Sequence, residues 1–258
     1  MKKLLITGVT GFLGGAVLEK IINNNEDVDL LLLVRASDRS AALERVKDNM
    51  RKFNVDEAKL QSLTTSNILL GDLATPSTFL NSVELDDVTH VINCAAVASF
   101  GNNPLIKKVN VEGTFEFAKR MNDVKTLQRF LHVGTAMSCT PQPDSLVPES
   151  EKFPQNAEHL VEYTHSKSTI ERLMRENCPD LPLAIARPSI VVGHTQYGCQ
   201  PSSSIFWVFR MGLMLQKFMC SLDDKIDVIP VDYCANALLM LLESDLKQGE
   251  VVHISAGE

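Results

Sequence analysis

The sequence predicts a doubly wound α/β fold, a parallel sheet with helices on both faces, from three observations. Short apolar runs such as "LLLLV" at 30–34 show no polar alternation, as strands buried on both faces require. Helical patterns separate these runs, which is how right-handed crossovers join parallel strands. A glycine-rich turn, "TGVTGFLGG", connects the first run directly to the first helical pattern. A chain of 258 residues is long enough for one large domain of this kind, with a small appendage.

In chain order, "KKLLITG" reads as the first strand and 11–24 as the helix that returns from it. "DLLLLVR" is the second strand, 39–53 the next helix and "SNILLGD" the third strand. "VTHVINCAA", a helix over 104–122 and "QRFLHVG" repeat the unit, followed by a helix over 157–177 and the strand "PLAIARP". The stretch "TPQPDSLVPESEKFPQ" at 140–155 carries four prolines and is a long irregular loop, a type that is commonly functional. Beyond Pro188 come the loop "GHTQYGCQPSSSIF", an apolar helix over 204–219 and "DVIPVDYCANALLMLLES", a strand turning into a helix. The expected organisation is a cofactor-binding domain over 1–190 and a small substrate-binding lid over 191–258. The last run, "EVVHIS", is left free to return to the main sheet.

The hydrophobic share of 45% and charged share of 22% are those of a soluble globular protein. The net charge of −7, without long like-charge blocks, argues against a nucleic-acid surface but leaves room for a local basic pocket. The six cysteines have neither C-x-x-C spacing nor a nearby histidine, so free buried thiols are expected rather than zinc or disulfides. The N-terminal apolar run is broken by glycines and lacks a small-residue cleavage site, and "LLLLV" is far below the ~20 residues that span a bilayer. A cytoplasmic location follows as the expectation.

Gly8, Gly11 and Gly14 form G-x-x-G-x-x-G between a strand and a helix. Such glycines let bare backbone approach a pyrophosphate, and the helix N-terminus supplies N–H groups and partial positive charge. Thr7, Phe12 and Leu13 belong to the same expected cofactor loop. Where an NAD-preferring site carries an acidic residue at the end of the second strand, this chain has Arg35. A guanidinium forms charge-assisted bonds to a 2′-phosphate, so NADP(H) is the expected cofactor, with Arg39 and Arg45 adding to the pocket. Asp72, with Leu73, ends the third strand and suits the adenine amino group; capping the next turn is the alternative. Ala95 and Ala96 end the fourth strand and leave room for a flat ring, though tight packing explains them equally well.

Tyr163 and Lys167 are four residues apart in a helical pattern and share a face. Thr135 ends the fifth strand, so a hydroxyl and a phenol from adjacent elements converge at the sheet's carboxyl edge. Carbonyl reduction needs such donors, because the oxygen gains negative charge as hydride adds to carbon. A phenol titrates near ~10, and lowering it 2–3 units takes about 3–4 kcal/mol. A cation ~4 Å away supplies on the order of 4 kcal/mol at intermediate dielectric, so Lys167 is expected to lower the phenol's pKa.

"TGVTGFLG", "NCAA", "NVEGT", "HVGTA", "YTHSK" and "ARPSIVVG", in this order and across essentially the whole chain, resemble an extended short-chain dehydrogenase/reductase. "LLLVRAS", "NVEGTFEFAKR", "ARPSIV" and "DVIPVDYCANAL" are most similar to its thioester reductase and fatty acyl-CoA reductase (male-sterility) branch. The resemblance implies a Rossmann fold with Thr135, Tyr163 and Lys167 as catalytic hydroxyl, acid and lysine. It further implies Asn110 in a supporting place, holding a water or backbone near Lys167, and Pro188 and Ser189 flanking the nicotinamide amide. The chain differs from that branch at Gly134, where a hydroxyl residue is usual, at Ser138-Cys139, and at Ser168, where tryptophan is frequent. It also stops at "EVVHISAGE", where that branch continues, so a compact or shortened form is expected and any acyl carrier is a separate partner.

The function expected from these features is NADPH-dependent reduction of an acyl thioester to aldehyde or alcohol. The alternatives are a nucleotide-sugar epimerase or dehydratase, a ketone reductase, and a non-catalytic NADP-binding sensor. The Met- and Phe-rich helix over 204–219 is read as core, with an acyl-chain contact or a homodimer face as alternatives.

Overall fold

Seven apolar strands pair edge to edge because none can leave its backbone or either face in water. In a computed structural model they run β1 (Lys3–Thr7), β2 (Asp29–Val34), β3 (Ile68–Leu70), β4 (His90–Asn93), β5 (Arg129–Val133), β6 (Leu183–Pro188) and, last in the chain, Glu250–Ile254. All pairs are parallel, in spatial order β3-β2-β1-β4-β5-β6 and then the C-terminal strand. "EVVHIS" therefore does return to the main sheet, with Ile185 beside Val251. The structure describes residues 2–99, 101–140, 146–150, 152–153, 158–159, 161–198, 205–217, 221 and 225–256, without the side chains of 205–208.

On one face lie α1 (Phe12–Asn24), α2 (Arg39–Lys52), the short α3 (Glu57–Leu60) and a later helix over Val231–Glu243. The opposite face carries α4 (Thr114–Asn122) and α5 (Glu162–Asn177). Within β1, Leu5 faces one layer and Leu4 and Ile6 the other, and all three are buried, as a doubly covered strand demands. The expected helix over 104–122 is two pieces: a π-helical stretch, Ile106–Gly113, runs into α4.

Past β6 the chain forms a second, two-stranded parallel sheet from β7 (Ile190–Val192) and β8 (Val228–Pro230), with α6 (Ile205–Leu215) between them in sequence. α7 (Val231–Glu243) then packs on α1, and β9 (Glu250–Ile254) closes the edge of the main sheet. Reading α6 as core fails at its described end, since Leu213, Met214 and Leu215 are exposed. Cys199 and Cys220 lie outside the described residues, as does much of the 140–155 loop. Among the described residues no helix is long and apolar enough to cross a membrane.

β1 is the strand from which the chain goes first to β2 on one side and later to β4 on the other. At such a switch the crossovers diverge and open a crevice beyond the carboxyl ends of the strands. Below it the α4 layer is locked by an aromatic row, Phe79–Phe117–Phe130, with ring centroids 5.8 and 5.6 Å apart. Phe117 is fully buried between the other two. Phe117→Ala is expected to cost about 3–5 kcal/mol in urea unfolding; a loss below about 1 kcal/mol would show that this row does not anchor the layer.

Candidate active site

The crevice is a cavity of about 1060 Å³ that follows the carboxyl ends of the strands from Arg35 after β2 to Pro188 and Ser189 at β6. Gly8 sits at its centre with φ +74°, and a side chain there would meet the Ala95 backbone nitrogen at 2.8 Å. Only glycine permits both the left-handed backbone and this approach of β1 to β4. α1 then starts after Gly11 with no side chain capping it and no acidic residue in its first turn. Its leading N–H groups are thus left for an anion.

Of the predicted loop residues, Gly8, Gly11, Phe12, Leu13 and Gly14 line the cavity, as do Asp72, Leu73, Ala95 and Ala96. Thr7 does not. It is fully buried, donates to Asn93 Oδ1 at 2.6 Å and accepts from the Ala95 N–H at 3.0 Å, so it fixes the strand ends behind the wall. Arg35 and Arg45 both reach the cavity; Arg45 donates to the Arg35 carbonyl, and Arg35 lies 3.5 Å from Asp72. Arg39 points elsewhere, because Glu84 holds its guanidinium at 2.8 and 3.0 Å. Asp72 also accepts from the Ala74 N–H at 2.8 Å within its own turn, while the N-cap position of the next helical turn is Thr75.

Thr135, at the end of β5, and Tyr163 and Lys167, one turn apart in α5, meet on this wall. Thr135 caps the 3₁₀ turn Ala136–Cys139, accepting from the Met137 N–H at 3.3 Å, which leaves its own proton free among the described residues. Lys167 is 3% exposed and donates to the Val133 carbonyl at 2.7 Å. Its ammonium lies 6.0 Å from the Tyr163 ring centre. The half-buried Tyr163 hydroxyl has no hydrogen-bond partner among the described residues.

The expected lowering of the phenol is overturned. Burial pushes Tyr163 up to about 12, and burial likewise pushes Lys167 down to about 8, partly offset by Glu171 and Cys94. Desolvation disfavours either charged form, and at 6.0 Å from the ring the lysine does not outweigh it. Cys94, on the same wall, is pushed up to about 12 by burial and stays a neutral thiol.

Asn110 does not touch Lys167. The π-helical stretch turns it toward the loop after β4, where it accepts from Val97 N–H at 2.7 Å and donates to Val97 O at 3.1 Å. It also donates to Ser166 Oγ at 3.0 Å, and Ser166 in turn donates to the Tyr163 carbonyl at 2.6 Å. Its link to the site is therefore backbone placement at Val97 and Tyr163.

Several wall residues escaped the sequence. Val97 to Ser99 simply continue the strand end at Ala96, so extending that rule by three residues would have found them. Glu158 and His159 lie ahead of α5 with no motif to mark them.

The donor set suits a dinucleotide: an uncapped helix start, two arginines beside the β2 end, and Ser189 Oγ, buried on the wall without a partner among the described residues. The male sterility protein family matches residues 6–238. This chain belongs to it. It is an extended short-chain dehydrogenase/reductase of the thioester and fatty acyl-CoA reductase branch, with a nucleotide-binding domain of the NAD(P) type. It is 26% identical to the fatty acyl-CoA reductase wat of Drosophila melanogaster over 92% of this chain and 53% of that protein. It is also 26% identical to a linear gramicidin synthase of Brevibacillus parabrevis, over 92% of this chain and 5% of that protein. The terminal R domain of the myxalamid PKS-NRPS pathway shares the fold with a TM-score of 0.86 and 24% identity, over 100% of this chain and 66% of that one. The chain spans about half the length of the fatty acyl-CoA reductases it matches, 53% and 55% for the two from Drosophila melanogaster.

Proposed function

We propose that this chain reduces an acyl thioester, bound to CoA or to a separate carrier protein, with NADPH as reductant. The observation that carries this is the convergence of Thr135, Tyr163 and Lys167 on one cavity with the glycine turn, Arg35 and Ser189. Similarity to reductases that act on fatty acyl-CoA supports the thioester, and the gramicidin synthase and R-domain relatives support a carrier-bound form of it. Of the C-terminal region, β7 on the cavity wall is assigned to the substrate, whereas α7 and β9 serve the main domain.

In this assignment the α1 start and Gly8 to Gly14 hold the pyrophosphate, and Arg35 with Arg45 holds a 2′-phosphate. Ala95, Ala96, Pro188 and Ser189 border the nicotinamide, and Ser189 Oγ gains the partner it lacks. The bound cofactor supplies a hydride to the carbonyl carbon. Thr135 and Tyr163 then do the chain's share: both donate to the carbonyl oxygen as it gains charge, and Tyr163 passes its proton to it. The resulting hemithioacetal loses thiol to give the aldehyde, and a second reduction gives the alcohol. A phenol held near 12 is fully protonated at neutral pH, which is the state a donor must start in. Lys167, charged below about 8, faces the phenol ring and stabilises the phenolate left behind.

The direct test is NADPH oxidation against acyl-CoAs, ketones and nucleotide sugars. Turnover of acyl-CoA is expected, reduced roughly 10²–10⁴-fold in Tyr163→Phe with NADPH still bound; activity on ketones alone would remove the thioester. The rate should decline as pH rises through about 8, where Lys167 loses its proton, while Tyr163 remains protonated. A flat profile to pH 10 would detach Lys167 from turnover. Arg35→Asp should weaken NADPH far more than NADH in a fluorescence titration, and equal losses would discard the 2′-phosphate contact.

A further inference from the structure

Behind the cavity wall lies an ion pair that the proposed chemistry does not use. Arg187, next to Pro188 in β6, and Glu171, one turn beyond Lys167 in α5, are both fully buried. Arg187 Nη2 donates to Glu171 Oε2 at 2.7 Å, and Nε donates to Oε2 and Oε1 at 3.1 and 3.3 Å. Burying two charges is expensive, and a strand–helix contact alone is more simply made with apolar side chains. The remaining contacts of the pair show what the charges add.

Arg187 Nη1 reaches past the glutamate to two other segments. It donates to the Ser150 carbonyl at 3.0 Å and to Cys139 Sγ at 3.2 Å, and the guanidinium lies 4.5 Å from the Phe153 ring centre. Ser150 and Phe153 belong to the proline-rich loop, and Cys139 ends the 3₁₀ turn that Thr135 begins. Gly134 completes the arrangement: a side chain there would meet Glu171 Oε1 at 2.3 Å and Arg187 Cγ at 3.2 Å. Gly134 leaves its position bare, and the carboxylate fills that space. A planar fork with five donors can serve a carboxylate, a carbonyl and a thiol together, which neither lysine nor an apolar residue can do.

We propose that Arg187 and Glu171 are a positioning pair for the reductase site. They hold the Lys167 helix, the Thr135 turn and the loop around Ser150 and Phe153 in one arrangement. This rests on the function proposed above for the site itself, but the anchoring of the loop does not. Glu171 has a second effect, because its charge opposes the desolvation of Lys167. Among the described residues the other titratable groups near that ammonium are Tyr163 on the same helix, Cys94 after β4 and His132 on β5, none of them anionic at neutral pH.

Two variants of the full chain separate these effects. Glu171→Gln keeps the shape and removes the charge, so the high-pH limb of acyl-CoA turnover should move down by about one unit. Arg187→Lys keeps the charge and loses the fork, so trypsin should cut after exposed Lys152 about tenfold faster, with cleavage after exposed Lys125 unchanged. Should Glu171→Gln fold poorly, Gly134→Ala crowds the carboxylate without removing a charge. It is expected to lower kcat about tenfold while leaving KM for NADPH within twofold. An unmoved pH limb with wild-type cleavage at Lys152 overturns the proposal, as does equal acceleration at Lys152 and Lys125, which marks general loosening. A chain inactive on every thioester removes the reductase function, and the trypsin comparison alone then decides the pair.

Discussion

Everything at the mouth of this sheet is organised around one buried ammonium. Lys167 is 3% exposed, and an ion in that position costs several kcal/mol unless its protons find partners. The Val133 carbonyl, last in β5, takes one of them at 2.7 Å, and that bond fixes how far α5 slides along the sheet. The residue pair that follows Val133 is Gly134-Thr135, so the same strand end that receives the lysine also aims the threonine. With α5 fixed, Tyr163 stands one turn back on the same face, over the cavity. A shift of one residue in any of these elements would separate the three groups.

Much of the fold was legible because its signals are local. A strand buried on both faces writes itself as an unbroken apolar run, and a strand–glycine–helix order specifies its own turn, as at Gly8 to Gly14. The features that were not legible depend on partners far away in sequence. Arg39 was expected to add to the pocket beside Arg35, but Glu84, 45 residues later, takes it. Thr7 looked like part of the cofactor loop, yet Asn93 and Ala95 hold it behind the wall. The π-helical register around Asn110 has no compositional signature, so the backbone it holds, at Val97, could not be named from the sequence. Apolar composition over α6 likewise says nothing about what lies opposite, and Leu213 to Leu215 are exposed.

Fold alone does not choose the chemistry. What separates reactions on such a scaffold is the site. Here the residue after β2 is Arg35, and the space beside Gly134 is occupied by the Glu171–Arg187 pair. Both place charge next to the cavity or the lysine helix.

The raised phenol bears on when the proton moves in the proposed reaction. A tyrosine lowered toward neutrality would be partly ionised at rest, with no proton to give. Burial works against that in this site, holding Tyr163 near 12 and Lys167 near 8. At neutral pH the free site therefore contains a neutral phenol and a mostly charged ammonium, and the phenol yields its proton only to an oxygen more basic than itself. An alkoxide formed at a reduced carbonyl is such an oxygen, while a resting carbonyl is not. Proton transfer is thereby tied to hydride addition, and the same desolvation that overturned the expected lowering keeps the donor's proton in place until then.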